Sequence, residues 1–319
     1  YLTMRDGAKI HAFVIGKGEP CILLHGFVGD ARIWLPFVAP FLHRHRFILP
    51  DLRGFGRSNK APITDDCALT QFVEDVEDLM DNLGCEKAKL GGISMGAYAS
   101  LHNQEVNRFR RISRCFIIDH SPKAVNSNEW PYGMNPALID LSRQLVTYFE
   151  SEKFDDPEIP FKALPPEFQQ LYLKVVRAIV LYCFPRPYQK WIAQFTGRTQ
   201  IFLKEFPLRS WHAATKCLGS YIHQNYDMRD GLKEISIPVT IMMGMKSEVF
   251  HNQGVLYLDE HIPQSKLIKF KRSGHALFLT EPVKFRRELK RFLKVYSEGA
   301  RSENSTTLHG GQWYTLCFE

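Results

Sequence analysis

Residues 92–96 read Gly-Ile-Ser-Met-Gly, the pattern G-x-S-x-G. They lie between residues 87–91, which can form a short strand, and a helix-forming stretch at 97–101. A serine in this pattern, at a sharp turn from a strand into a helix, is typical of a nucleophile elbow. The strained turn brings the helix close to the strand, so glycine is needed on both sides of the serine. Ser94 is therefore the candidate nucleophile.

Strands and helices are predicted to alternate around this turn. Asp6-Gly7 indicates an early hairpin between 2–5 and 9–15. Predicted strands then lie at 20–24, 46–49, 87–91, 114–118, 237–244 and 266–270, and helices at 31–42, 70–83 and 97–101. Such alternation favours an α/β fold, with a mostly parallel sheet and helices on both faces.

The alternation stops between residues 121 and 226, a segment that is rich in aromatic residues and contains no clear strand. Helices are predicted at 135–150 and 165–183. We therefore expect a helical cap at 121–226, inserted into a core formed by 1–120 and 227–296. Residues 297–319 are expected to form a C-terminal tail.

Composition restricts the classes of protein that fit. The 319 residues are 45% hydrophobic and 24% charged, as in soluble globular domains, and no apolar run approaches the 18 residues of a membrane span. The seven cysteines are scattered and odd in number, which indicates reduced thiols in a cytoplasmic protein. No cysteine or histidine cluster indicates a metal site. Whether a signal peptide was removed stays open.

The net charge is +7, and part of the excess lies in residues 284–294. Apolar residues within this stretch recur at helical spacing, which predicts a last amphipathic helix with a basic solvent face. No nucleic-acid-binding motif accompanies the charge, so a nucleic-acid partner is not expected.

A serine hydroxyl needs a base to become a nucleophile, and the oxyanion that forms needs two N–H donors. His275, which follows the last predicted strand, is the candidate base. One donor is expected from the backbone of Met95, after the nucleophile. The other is expected from Phe27, in the loop after the strand at 20–24.

Five motifs together resemble the α/β-hydrolase fold family over nearly the whole chain. They are His25-Gly26, the D-x-R-G-x-G-x-S stretch at 51–58, G-x-S-x-G at 92–96, the strand at 238–244, and Gly274-His275 followed by Glu281-Pro282. The resemblance implies a triad in the order serine, acid, histidine, and a structural role for the stretch at 51–58. Ser94 stands where dehalogenases and epoxide hydrolases of this fold carry an aspartate, which favours acyl transfer to water.

The triad acid departs from the usual pattern. Most family members place an aspartate shortly after the strand that here ends at Gly244, but this chain has Ser247 in that position, followed by Glu248. Asp119, at the end of the strand after the elbow, occupies a place from which some branches recruit the acid. Asp119 is the preferred candidate, with Glu248 as the alternative and Ser247 as a neighbouring relay.

We therefore expect a serine hydrolase, without metal or cofactor, that cleaves a small carboxylic ester or lactone through an acyl-enzyme. A ligand receptor with slow or no turnover is the alternative from another class. A carbon–carbon bond hydrolase, an acyltransferase or a perhydrolase could use the same residues. Aromatic side chains of the cap are candidates to line an acyl pocket, namely Trp130, Tyr132, Trp191 and Trp211. The oligomeric state is left open.

Overall fold

The computed structural model describes residues 1–64, 66–154, 156–188 and 206–294. Strands β1 and β2 form the hairpin expected around Asp6-Gly7, and seven further strands form one sheet. The strands are β1 Leu2–Thr3, β2 Lys9–Ile10, β3 Ala12–Gly16, β4 Glu19–Leu24, β5 His45–Pro50, β6 Ala88–Ile93, β7 Ile112–Ile118, β8 Val239–Gly244 and β9 Ser265–Phe270.

The order of the large sheet is β3-β5-β4-β6-β7-β8-β9. Only β3 runs antiparallel, against β5, and the other neighbours pair in parallel. All six residues of β6 are buried, as is expected of a central strand covered on both faces. The carboxyl ends of β4, β6, β7 and β8 therefore meet at one edge of the sheet.

Helices connect the strands and cover both faces of the sheet. They are α1 Leu35–Val38, α2 Ala68–Asn82, α3 Met95–Asn107, α4 Pro136–Ser151, α5 Pro166–Tyr182, α6 Phe206–Arg209, α7 Trp211–Gln224, α8 Asn252–His261, α9 Leu277–Thr280 and α10 Pro282–Leu293. No helix among the described residues is long and apolar enough to cross a bilayer.

The helix expected over residues 31–42 is broken into three short pieces. A 3₁₀ turn at Ala31–Trp34 is followed by α1, and a second 3₁₀ turn spans Ala39–Phe41. Pro36 and Pro40 explain the break, because a proline cannot donate the backbone hydrogen bond that continues an α-helix.

Two hydrophobic cores lie on opposite faces of the sheet. One contains alternate residues of β4, such as Ile22, with the apolar faces of α2 and α3. The other contains Trp34 and Phe116 with the buried face of α10, where Phe285 and Leu289 are fully buried. The α/β architecture with helices on both faces is therefore as the sequence predicts.

Between β7 and β8 the described residues form helices and isolated bridges. Asn135 caps α4 by accepting a hydrogen bond from the N–H of Ala137, and Pro136 occupies the first helical position. Helix α4 packs on both α5 and α7, and α7 also contacts α2 of the core. The described part of this inserted segment, residues 121–226, thus contains helices joined by loops and isolated bridges. Residues 189–205 and the predicted tail lie outside the described residues.

Close packing at the elbow explains its two glycines. A Cβ on Gly92 would lie 2.3 Å from the carbonyl carbon of Gly96, and a Cβ on Gly96 would lie 2.5 Å from the carbonyl oxygens of Leu24 and His25. Helix α3 therefore starts in direct backbone contact with β4 and β6, and any side chain at these positions would push it away.

The space around a glycine predicts opposite effects of alanine at two positions, one in α3 and one in α7. Gly96→Ala should lower the free energy of unfolding by about 1–3 kcal/mol or more, because backbone must shift to admit the methyl group. Gly219→Ala in α7 meets its nearest atom at 3.5 Å and should stabilise the protein by about 0.5–1 kcal/mol. Denaturant unfolding of both variants tests this, and equal effects would contradict it.

Candidate active site

Ser94 lies at the turn between β6 and α3 with backbone angles φ 54° and ψ −121°. Its N–H donates to the carbonyl oxygen of Ile118 on β7 at 3.2 Å, and its own carbonyl accepts from the N–H of Tyr98 at 2.9 Å. The residue is half-buried, whereas its neighbours on both sides are buried. The turn thus holds the Ser94 side chain at the carboxyl edge of the sheet.

Positive φ recurs at the ends of three neighbouring strands. Val28 after β4 has φ 48°, Ser94 after β6 has φ 54°, and Asp119 after β7 has φ 49°. Such values cost about 1–3 kcal/mol each in residues other than glycine and persist only where surrounding contacts impose them. Three of the seven non-glycine residues with positive φ in the described part of the chain thus lie at this edge of the sheet.

Asp119 and His275 form a buried pair at this edge. The Nδ1 of His275 lies 2.8 Å from Oδ2 of Asp119, and the exposed fractions of the two residues are 4% and 0%. The carboxylate also accepts the N–H of Gly244 at 2.8 Å through Oδ1 and the hydroxyl of Ser247 at 2.6 Å through Oδ2. Three donors thus compensate a charge that would be costly to bury alone.

Of the residues after β8, the structure brings Ser247 to Asp119. Ser247 donates its hydroxyl proton to the carboxylate, so it supports the acid through a hydrogen bond. Glu248 is half-buried, and its backbone carbonyl accepts a hydrogen bond from Asn135 at 3.0 Å. The N–H of Gly244 was not expected as a donor from the sequence, because only the parallel pairing of β7 with β8 brings it to Asp119.

The loop after β4 lies directly beside Ser94. A Cβ on Gly26 would be 3.4 Å from the Cβ of Ser94, so a larger residue there would crowd the serine. Among the described residues, no hydrogen bond engages the N–H of Phe27. Met95 is the first residue of α3, and its N–H is among those that a helix leaves without an internal partner.

His25 holds this loop in place. Its Nε2 accepts the N–H of Leu52 at 2.9 Å, so Nδ1 carries the proton and donates to the carbonyl of Gly26 at 2.8 Å. Burial lowers the pKa of His25, which keeps the ring neutral and suited to accept a hydrogen bond. Both ring nitrogens of His25 are thus engaged with the backbone of neighbouring loops.

The stretch at 51–58 braces the same loop. Asp51 accepts hydrogen bonds from the N–H of Ala31 at 2.7 Å and of Arg57 at 2.9 Å. Arg53 is almost fully buried and pairs with Asp75 and Asp6. These contacts fix the position of Leu52 and, through it, the ring of His25.

A second histidine, His120, lies next to Asp119 and was not singled out in the sequence. Its ring is stacked 4.1 Å from that of Tyr98 and lies 4.0 Å from that of Phe250, which lies 5.8 Å from the ring of His275. Nδ1 donates to the carbonyl of Ser121 at 2.7 Å, and Nε2 has no partner among the described residues. Burial lowers the pKa of His120 to about 3, with a smaller effect from His275.

The inserted segment reaches the edge of the sheet that carries His275 at the end of α5. The N–H of Ala276 donates to the carbonyl of Cys183 at 3.2 Å. A Cβ on Gly274 would lie 3.0 Å from both that carbonyl and the ring of Pro185. The loop that carries His275 therefore packs against residues 183–185, a contact between distant parts of the chain that no local pattern signals.

The aromatic residues expected to line a pocket occupy different environments. Trp211 is 1% exposed, packs against Phe168 and donates its indole N–H to the carbonyl of Ile159. Trp130 is 2% exposed and donates its indole N–H to the carbonyl of Lys123. Both rings are enclosed by protein. Tyr132 is 38% exposed. Trp191 lies outside the described residues.

The described residues contain no group of three or more histidine, cysteine, aspartate or glutamate side chains arranged to hold a metal ion.

The family model of the alpha/beta hydrolase fold matches residues 19–282. The chain therefore belongs to the α/β-hydrolase fold family, and this class agrees with the sheet order and with the edge on which Ser94 lies.

Individual relatives are distant but extend over most of the chain. A pimeloyl-[acyl-carrier protein] methyl ester esterase from Nitrosomonas europaea is 23% identical over 278 residues, which are 87% of this chain and 97% of the relative. An esterase structure from Exiguobacterium antarcticum is 24% identical, covers 91% of this chain and 97% of its own, and has a TM-score of 0.69. An enol-lactonase structure from Burkholderia xenovorans is 17% identical and has a TM-score of 0.67. It covers 89% of this chain and 96% of its own.

The environment of His120 predicts a specific dependence of stability on pH. Its pKa of about 3 in the fold is below the value near 6.5 of an unfolded histidine, so between these values the unfolded chain binds the extra proton. The stability that neutral His120 contributes is fully present above about pH 6.5 and is lost as the pH falls towards 3.

His120→Phe removes this titration and keeps a flat ring between Tyr98 and Phe250. Relative to wild type, the variant should therefore gain up to about 1.4 kcal/mol in unfolding free energy for each pH unit below 6.5. Urea unfolding at a neutral and at a mildly acidic pH measures the change. Parallel pH profiles for the two proteins would show that His120 is not held neutral by burial.

Proposed function

We propose that this protein is a serine hydrolase that cleaves a carboxylic ester or a lactone through an acyl-enzyme intermediate. The observation that carries the proposal is the buried hydrogen bond between Asp119 and His275, at the strand edge where Ser94 lies on its strained turn. A carboxylate on one nitrogen of an imidazole, with a serine available to the other, is the arrangement that activates a hydroxyl nucleophile.

In this reaction Nε2 of His275 takes the hydroxyl proton of Ser94 as the oxygen attacks the ester carbonyl. The proton on Nδ1 stays on the ring and is held by Asp119, whose negative charge stabilises the imidazolium that forms. Ser247 and Gly244 keep the carboxylate in position, since each donates a hydrogen bond to it. The acid in this proposal is Asp119, and Ser247 is its supporting donor.

The tetrahedral intermediate places a negative charge on the former carbonyl oxygen. The backbone N–H groups of Phe27 and Met95 are the proposed donors to that oxygen, because Gly26 brings the first loop against Ser94 and Met95 begins α3. His275 then gives its proton to the leaving alcohol. Water activated by the same ring releases the acid and restores the serine hydroxyl.

The inserted segment acts as a cap in this proposal. Its position is supported by the hydrogen bond from Ala276 to Cys183 and by the side chain of Ala213, which would lie 2.2 Å from a Cβ on Gly54. Substrate choice is then set by residues of the cap, and the chemistry by residues of the sheet. The relatives named above support ester hydrolysis as the reaction class, because their names describe an ester, enol-lactone or general esterase activity.

The first test is Ser94→Ala. The small side chain fits the elbow, so the fold should persist, while hydrolysis of p-nitrophenyl butyrate should fall by about 10⁴–10⁶-fold. A fluorophosphonate should label the wild type and fail to label the variant. Activity above about a tenth of the wild-type value would exclude Ser94 as the nucleophile, and tight ligand binding with negligible turnover in the wild type would favour a receptor.

The second test compares the three candidates for the acid and its support. Asp119→Asn should lower kcat by about 10⁴-fold, because an amide in place of the carboxylate favours the wrong imidazole tautomer. Ser247→Ala should cost less, since it removes one hydrogen bond and no charge. Glu248→Gln should have little effect. A large loss in Glu248→Gln together with near-normal activity in Asp119→Asn would move the acid to Glu248.

A further inference from the structure

The positive charge of this protein is concentrated in one stretch. Residues 265–294 contain ten lysine or arginine residues and two glutamates, an excess of eight, whereas the whole chain has a net charge of +7. The rest of the molecule is therefore close to neutral. The stretch comprises β9, the loop that carries His275, α9 and α10.

Most of these basic side chains have no acidic partner. Arg287 and Arg291 pair with Glu288, and the amine of Lys284 donates to the carbonyl of Lys269. Seven others are exposed and form no ion pair within the described part of the chain. We call these seven residues the basic face: Lys266, Lys269, Lys271, Arg272, Arg286, Lys290 and Lys294.

The secondary structure places these side chains along α10 and at the neighbouring edge of the sheet. Arg286 and Lys290 lie one turn apart on the exposed side of α10, and Lys294, the C-cap residue, continues this row past the end of the helix. The contact of Lys284 with Lys269 places the start of α10 beside β9, the last strand of the sheet. On β9, Lys266 lies on the same side of the sheet as Phe270 and α10, and Lys269 lies on the opposite side. The basic face therefore continues from α10 to the sheet edge through Lys266, and Lys269 extends it around that edge.

The same surface is tied to the catalytic loop. One carboxylate oxygen of Glu281 accepts both the hydroxyl of Ser273 at 2.7 Å and the N–H of Arg272 at 3.2 Å. Glu281 immediately precedes α10, and Ser273 lies two residues before His275. The loop, its basic residues and the start of α10 thus form one connected unit.

Two exposed apolar side chains adjoin the basic face. Leu279 in α9 is 56% exposed, and Val283 in the first turn of α10 is 72% exposed. Lysines on an edge strand also discourage pairing with another sheet. That function accounts for Lys266 and Lys269, but for neither the row on α10 nor the exposed apolar pair.

We propose that the basic face, together with Leu279 and Val283, is a reversible docking surface for a membrane with anionic lipid headgroups. Lysine and arginine are both attracted to such a surface, and apolar side chains beside them enter the boundary between headgroups and acyl chains. Five of the seven basic residues are lysines, which are depleted from protein–protein interfaces, so the composition favours a lipid surface over an acidic protein.

The experiment is sedimentation of the full chain with vesicles of phosphatidylcholine containing about 30% phosphatidylserine, at low and at physiological salt. The test variant is the triple substitution Arg286→Glu, Lys290→Glu, Lys294→Glu. The control is Lys17→Glu, Lys60→Glu, Lys87→Glu, which reverses three exposed lysines in loops elsewhere in the chain and lowers the net charge equally. A third variant, Leu279→Ser with Val283→Ser, leaves the charge unchanged.

We expect the wild type to bind the anionic vesicles and to release them as salt is raised. The basic-face variant should bind at least about tenfold more weakly, the control should bind within about threefold of wild type, and the serine variant should bind several-fold more weakly. Binding is measured without turnover, so this result is independent of whether the chain hydrolyses esters. Thermal unfolding of each variant verifies the fold.

Three outcomes would overturn the proposal. Equal losses in the basic-face variant and the control would show attraction by net charge alone. Absence of vesicle binding at low salt would exclude a lipid surface as the partner. Binding to poly-glutamate or to duplex DNA without binding to vesicles would assign the basic face to an acidic protein or to nucleic acid.

Discussion

The backbone contact between the start of α3 and strands β4 and β6 is the constraint on which the site depends. It exists because Gly92 and Gly96 have no side chains, so the helix begins where a Cβ would collide with the carbonyl oxygens of Leu24 and His25. That approach forces Ser94 to positive φ, and the helix in turn presents the N–H of Met95 beside the serine. A looser helix start would release the strain and displace both groups.

Burial of Asp119 is the second constraint. A carboxylate with no solvent contact is tolerated because Gly244, Ser247 and His275 each donate a hydrogen bond to it, and hydrogen bonds to a charged group contribute about 1.5–3 kcal/mol each. Asp119 supplies the negative charge from the end of β7, and Ser247 supplies a hydrogen-bond donor from the loop after β8.

The contacts around His275 couple distant parts of the chain. Asp119 comes from the end of β7, Cys183 from the end of the second long helix of the inserted segment, and Glu281 from the start of the last helix. The imidazole is therefore oriented by the sheet, while its loop is held by the inserted segment on one side and by α10 on the other. A change in either helix can act on the loop through packing.

The amino-acid sequence by itself determined the alternation of strands and helices, the helical character of the inserted segment and the position of the elbow. These are local properties, set by apolar periodicity, by prolines and glycines, and by the turn that Ser94 occupies. The sequence also made Asp119 the preferred candidate for the acid, because Ser247 cannot carry a negative charge. It overestimated the helix at 31–42, where Pro36 and Pro40 interrupt the hydrogen bonds.

Only the tertiary structure decided which residues come into contact across the sheet. The N–H of Gly244 reaches Asp119 because β7 and β8 pair in parallel, and His120 lies between Tyr98 and Phe250 because three separate segments converge there. The sequence shows that Trp130 and Trp211 are aromatic but not how far each is buried. Their enclosure by protein follows from packing between segments that are distant along the chain. Contacts of this kind depend on the register of strands and the crossing of helices, which no local pattern contains.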